Sequence, residues 1–182
     1  LTIGTGIGGA FIQNGGLVRG ASYAAGEFGH TILKYNGFKC KCGRRGCVEA
    51  YTAVPALLRS TKRILKKHRK SILKKNINNL TPVMIFDAFK KGDRAATEAI
   101  GLNAEMLGGA IGSVVNLLNP EIVVIGGGIA EAGPKYINRL KNEIYDFSFD
   151  SAADGLTIKS ARLGNNAGWI GAACLNFDQG CY

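Results

Sequence analysis

The segment from Asp93 to Gly128 does most to limit what this chain can become. Ile100, Ala104, Leu107, Ile111, Val114, Val115 and Leu118 recur at helical spacing, which predicts a long helix over 93–118 with an apolar face. Gly108, Gly109, Ala110 and Gly112 strip its middle of large side chains, so a neighbouring backbone can come close. Asn119-Pro120 ends it, because a residue before proline is pushed out of the helical region. EIVVIGGG follows at once, an apolar run closed by glycines, the pattern of a strand buried on both faces. A long helix feeding such a strand belongs to an α/β domain.

The flanking segments agree. The first twenty residues alternate short apolar runs with glycine (LTIG, TGIGG, AFIQ, NGG, LVRG), which reads as strands joined by tight hairpins. Residues 47–75 look helical, with Pro55 near a helix start and Leu58, Leu65 and Ile72 repeating every seven residues. Thr81-Pro82 is a cap and first-turn pair opening a short helix through Phe89. Residues 134–147 return to helix, LTIKSARLG reads as a strand, and AGWIGAACLNF as a final small-residue helix. The 182 residues suffice for one well-filled core.

The net charge of +10 suggests nucleic acid, but its distribution does not. No acidic residue falls between Glu49 and Asp87, an interval holding nine of the 23 basic residues, from Arg59 to Lys75. The remaining 14 nearly balance the 13 acids, so the basic character describes one segment, read as a solvated helix face. His68 is expected on that face, pointing to solvent. No apolar run approaches the roughly 20 residues that span a bilayer, and no secretory signal opens the chain. The chain starts on Leu1 in what looks like a strand, so a fragment of a longer, cytoplasmic protein is expected.

Residues 30–47, HTILKYNGFKCKCGRRGC, hold three of the five cysteines and one of the two histidines. A disulfide framework fits poorly with five cysteines and no secretory signal. A thioredoxin-like redox pair needs two residues between its cysteines, whereas Cys40 and Cys42 are separated by one. His30, Cys40, Cys42 and Cys47 instead make a Cys3His set, a standard structural zinc ligation. Lys39, Lys41, Arg44 and Arg45 offset the surplus negative charge of three thiolates. Cys174, in GAACL, is expected to be a buried small hydrophobe, and Cys181 is uninformative.

Two glycine clusters remain open to more than one reading. GTGIGG at 4–9 joins two strands, so it is neither a P-loop nor a dinucleotide fingerprint, both of which need a helix behind them. Simple turn chemistry explains it best, yet such a hairpin can present backbone N–H groups and the Thr5 hydroxyl to an anion. IGGG at 125–128 either tolerates a tight turn or lets a flat ring approach the backbone. Glu27 and Glu49 flank the cysteine loop as polyol ligands, as supports for metal ligands, or as surface charges.

TIGTGIGGAFI, RGASYAAGEFGH and CKCGRRGCVEAY, in that order, closely resemble the ROK family of sugar kinases and sugar-responsive repressors. LNPEIVVIGGG and LGNNAGWIGAACL are similar to that family's C-terminal lobe, so the resemblance covers nearly all of residues 1–182. It implies an actin-like (ribonuclease H-like) α/β fold, with ATP and sugar between two lobes. Thr5, Gly6, Gly8 and Gly9 would then contact phosphate, and Gly126 and Gly127 the nucleoside. Glu27, Glu49 and His30 would face the sugar, with His30 also joining Cys40, Cys42 and Cys47 on zinc. The implied cofactors are ATP, Mg²⁺ and Zn²⁺, the substrate a hexose or N-acetylhexosamine, and the assembly a homo-oligomer, expected to be a dimer.

The family's first phosphate loop, of the Asp-x-Gly-Gly-Thr type, has no counterpart here. Nor has the Asn-Asp pair whose Asp takes the sugar hydroxyl's proton. The catalytic base is therefore expected upstream of Leu1, and the chain alone is expected to be inactive. An intact GTGIGG favours the lobe of a glucokinase-like hexose kinase over the sensor domain of a repressor, which alone would involve nucleic acid. A folded but inert piece, or one that assembles with a separate N-terminal half, is the third expectation.

Overall fold

Asn14 and Gly15 take φ values of 52° and 78°, as a two-residue hairpin of the primed type demands. In the computed structural model, which describes residues 1–129 and 132–174, that turn folds β3 (Ile12–Gln13) onto β4 (Gly16–Leu17). β1 (Thr2–Ile3) and β2 (Ile7–Gly8) form the hairpin before it, with Ile3 opposite Ile7. Farther along, β5 (Ile122–Ile125) runs parallel to β6 (Thr157–Ser160). The Ile3 amide donates to the Gly126 carbonyl at 2.9 Å, and the Gly126 amide to the Leu1 carbonyl at 2.7 Å. These bonds stitch β1 to the end of β5, so the hairpin tip and the IGGG turn share one edge.

The helices are α1 (Glu49–Thr52), α2 (Val54–Ile64), α3 (Pro82–Lys90), α4 (Arg94–Leu118), α5 (Pro134–Asp146), α6 (Asp150–Ala153) and α7 (Ala167–Cys174). α4 is the axis of the domain: α1, α2, α3 and α5 all pack on it, and Ile100, Ala104, Leu107 and Ile111 are buried along it. Its glycines do what their position predicts. A Cβ on Gly108 would run into Glu143 of α5, and one on Gly112 would come within 3.0 Å of the Phe147 backbone. The helix ends on Asn119, in the left-handed conformation at φ 42°.

Four expectations need correction. β5 is buried on one face only: Val123 and Ile125 are inside, whereas Ile122 and Val124 are 44% and 41% exposed. Strand side chains alternate, so Val123 and Ile125 face the core while Ile122 and Val124 face the other way. The helical stretch 47–75 is three pieces: α1, α2, and 3-10 turns over Ile72–Asn79. Like charges from Lys66 to Lys70 oppose helix continuation, and Ser71 starts a new turn by accepting from the Leu73 amide at 3.2 Å. Leu57, Ile64 and Leu65 are the buried stripe, and Ile72 is exposed. His68 sits in the turn between, not on a helix face, with Nε2 2.6 Å from Glu98 Oε2. Cys174 is exposed rather than buried, because small neighbours favour burial only where another element covers them. Cys181 lies outside the described residues.

Asp93 ties the turn after α2 to α4. Its carboxylate accepts from the Ala96 amide at 3.0 Å, the Ile72 amide at 2.8 Å and the Ser71 hydroxyl at 3.0 Å. Burial pushes this carboxyl up, but the donors outweigh it and hold it below the usual carboxylate range. Asp93→Ala should cost about 1–2 kcal/mol, read by urea unfolding at pH 7. The folded-state pKa is lowered, so the electrostatic part is complete above the unfolded value of about 3.9 and lost as pH falls through the folded one. The gap between wild type and variant should therefore narrow in acid.

Candidate functional site

The segment after His30 folds back on itself through antiparallel bridges between Ile32 and Cys47 and between Lys39 and Arg45. Gly43 and Gly46 make the tight returns, with φ of 88° and 86°. A side chain at Gly46 would also collide with the Lys34 carbonyl. The 3-10 turn Phe28–His30 leans on β2, so close that a Cβ on Gly29 would meet the Ile7 carbonyl. His30 is thereby delivered to the cysteines from outside the loop.

The ligating atoms of His30, Cys40, Cys42 and Cys47 all lie within 4.8 Å of one another. Cys42 Sγ and Cys47 Sγ are 3.6 Å apart, and Cys40 Sγ is 4.0 Å from His30 Nδ1. A tetrahedron with zinc–sulfur bonds of about 2.3 Å has edges of about 3.8 Å. The Cys42–Cys47 separation is close to that edge and too long for a disulfide, whose bond is about 2.05 Å. Burial, with Cys42 and Cys40 beside it, pushes the Cys47 thiol up to about 12. The Arg44 backbone amide leads the groups that draw Cys42 down. A cation among these sulfurs would offset the charge of bound thiolates. The donor set fits zinc, and with four protein ligands such a site is closed and structural.

Around this centre the sequence-predicted residues fall into two groups. Glu27 is exposed, and its Oε2 lies 3.9 Å from His30 Nε2, the ring nitrogen turned away from the cysteines. Glu49 opens α1 and bridges inward: Oε2 accepts from the Ile7 amide at 2.9 Å, and Oε1 lies 3.7 Å from Cys40 Sγ. The Val54 amide donates to the Gly4 carbonyl at 2.9 Å, a second tether from hairpin to helix. A cavity of about 80 Å³ runs between Thr5, Cys40, Glu49 and Arg59. Thr5 and Gly8 are exposed on the hairpin. Gly6, Gly9 and Gly127 have packing reasons of their own. A Cβ there would meet Glu49 Oε2 at 2.7 Å, the Gly26 carbonyl at 2.6 Å and the Ile3 backbone respectively. A Cβ on Gly126 would meet the Ala161 methyl at 3.3 Å and the Leu1 carbonyl at 3.5 Å, an easier fit.

Sequence reasoning missed Arg59 and Tyr51. Arg59 donates to the Ala50 carbonyl at 2.6 Å, gripping the residue after Glu49. The Tyr51 hydroxyl accepts from the Phe38 amide at 2.8 Å, and the two rings stack with centroids 5.0 Å apart. Tyr51 closes the CVEAY motif, so its position was a signal. Arg59 was hidden in a run of basic residues.

The family model described as ROK family matches residues 1–179. The chain belongs to the ROK family. It is 35% identical over 179 residues to a glucokinase from Halalkalibacterium halodurans, covering 96% of this chain and 54% of that one. It is 30% identical to the xylose repressor of Bacillus subtilis, covering 98% of this chain and 44% of that one. Among solved structures, a ROK family glucokinase from Streptomyces griseus with glucose and AMPPNP superposes with a TM-score of 0.88 at 28% identity. That match covers 96% of this chain and 58% of that one. A ROK family transcriptional regulator, a homolog of the E. coli MLC protein, gives 0.83 at 27% identity, covering 97% and 44%. The fold is thus α/β of the actin-like ATPase type, as in these ROK neighbours. The chain spans about half the length of the curated relatives it matches.

Proposed function

We propose that these residues are the C-terminal lobe of a sugar kinase that transfers the γ-phosphate of ATP to a hydroxyl of a hexose or N-acetylhexosamine. One observation carries the reading: Glu49 holds the phosphate hairpin through the Ile7 amide while lying against the Cys3His cluster. A sugar-binding wall and a phosphate-binding turn would then move as one body. Phosphoryl transfer depends mostly on positioning and charge stabilisation, so a rigid link of this kind is useful to it.

In this reading Glu27 and Glu49 accept hydrogen bonds from sugar hydroxyls, and His30 Nε2 joins them from between. Bound zinc would fix the loop and the His30 ring, and it would supply no Lewis-acid step. Thr5 and the backbone of Gly6, Gly8 and Gly9 face the phosphates, with Mg²⁺ arriving on ATP. Gly126 and Gly127 would lie against the nucleoside, with Gly127 held by its close packing on the Ile3 backbone. The base that takes the hydroxyl proton is expected from a preceding lobe. The second reading, a sugar sensor within a repressor, is favoured by the likeness to xylose repressors and to the transcriptional regulator.

The test uses the natural protein carrying this chain, with ATP, Mg²⁺ and a panel of hexoses and N-acetylhexosamines. ATP consumption that requires sugar is expected. Glu27→Gln should raise the sugar KM by about tenfold or more with zinc content unchanged. Sugar binding without turnover, coupled to release of DNA, would overturn the kinase reading in favour of the repressor.

A further inference from the structure

A second cavity, of about 660 Å³, opens between the outer side of the metal loop and helices α2 and α4. That volume is in the range of small-molecule sites. Tyr51, Ala56, Leu102 and Met106 make its apolar floor. Lys34, Arg45, Arg59 and Arg63 stand around it, and no acidic residue lines it. Among the described residues none of these four cations is in an ion pair. Cations converging on a concave surface raise its potential and favour an anionic occupant. The proposed reaction uses none of them.

We infer that this cavity binds a small organic phosphate, a phosphomonoester with an uncharged body. Three guanidinium forks and an ammonium suit a dianionic group that accepts several charge-assisted hydrogen bonds. The apolar floor suits the uncharged body. A nucleic-acid strand is a poorer fit, because the Phe38 ring is already engaged by Tyr51 at 5.0 Å and by Arg59 at 5.4 Å. That leaves it unsuited as a platform for stacked bases. The same chemistry is offered by a phosphosugar or by a nucleoside monophosphate.

The cavity also touches the site already described. Ala56 and Arg59 are common to it and to the small cavity beside Glu49. Arg45 reaches the Gly37 carbonyl at 3.3 Å, and Arg59 the Ala50 carbonyl at 2.6 Å. A phosphate that recruits these two guanidinium groups acts on the metal loop and on the residue next to Glu49. Occupancy here therefore changes how firmly the loop is held.

Calorimetric titration of the zinc-loaded chain at low salt with glucose 6-phosphate, AMP and inorganic phosphate tests the inference. One of the esters should bind about tenfold or more tightly than inorganic phosphate, and which one it is identifies the source. Lys34→Glu with Arg63→Glu should abolish that binding, both residues being exposed, with the unfolding midpoint unchanged. Glu27→Gln and excess glucose should leave it intact, which separates this cavity from the proposed sugar site. Binding that survives the double charge reversal, that disappears with Glu27→Gln, or that never exceeds inorganic phosphate overturns the inference.

Discussion

Cys42→Ser should release zinc and loosen the whole loop from His30 to Cys47. Protein purified without added metal is expected to carry one zinc per chain, and the variant markedly less. Structural zinc sites contribute about 10–16 kcal/mol of apparent binding energy, and in such sites binding energy is folding energy. Loss of one ligand should therefore lower the thermal midpoint by about 10 °C or more. Backbone bonds tie parts of the loop, among them the Gly46 amide to the Phe38 carbonyl at 2.9 Å and the Cys40 amide to the Arg44 carbonyl at 2.8 Å. Little apolar burial supports it, however: Tyr35, Phe38 and Ile32 are all more than half exposed. Ligation requires thiolates, while without metal burial pushes Cys47 up to about 12. Metal uptake must displace protons, so retention against a chelator should weaken steadily as pH falls from 8 toward 5 (roughly the span over which bound thiolates regain protons). A metal-free wild type with disulfides among Cys40, Cys42 and Cys47 would sink the assignment.

The convergence of His30, Cys40, Cys42 and Cys47 was legible because ligand type and spacing are local properties. Four side chains within an eighteen-residue stretch can be read without knowing the fold. The Asn14-Gly15 hairpin, the Thr81-Pro82 cap and the Asn119 stop were legible for the same reason, each being set by the φ, ψ or donor requirements of a few neighbours. What failed depended on tertiary surroundings. EIVVI reads as a doubly buried strand, but apolar sequence cannot say whether a second layer covers Ile122 and Val124. Cys174 looked interior because its neighbours are small, yet burial belongs to the partner element. The tie from Glu49 to the hairpin could not be read, although that acid's place beside the cysteine loop could. Its bond to the Ile7 amide spans 42 residues, and no spacing rule joins an acid behind a cysteine loop to a distant hairpin.

Asn103→Leu should be among the most damaging substitutions away from the metal. Asn103 is buried on α4, where Nδ2 donates to the Thr52 carbonyl at 2.9 Å and Oδ1 accepts from the Tyr136 hydroxyl at 2.9 Å. Leucine has similar bulk, so the loss is of hydrogen bonds rather than of packing. It orphans a buried hydroxyl and a buried carbonyl at once, each costing about 1–3 kcal/mol. The urea midpoint should fall with the slope unchanged. Tyr136→Phe orphans only the Asn103 oxygen and should cost less. Because the two residues share one bond, the double variant should fall short of the sum of the single losses. Thr52 is also the last residue of α1, which opens on Glu49. Releasing its carbonyl frees the C-terminal end of the helix that aims that carboxylate. On the proposed kinase reading, Asn103→Leu should weaken sugar binding by several-fold while zinc content stays at the wild-type level. Equal loss of both would mean that α1 and the metal loop respond to this buried chain as a single unit.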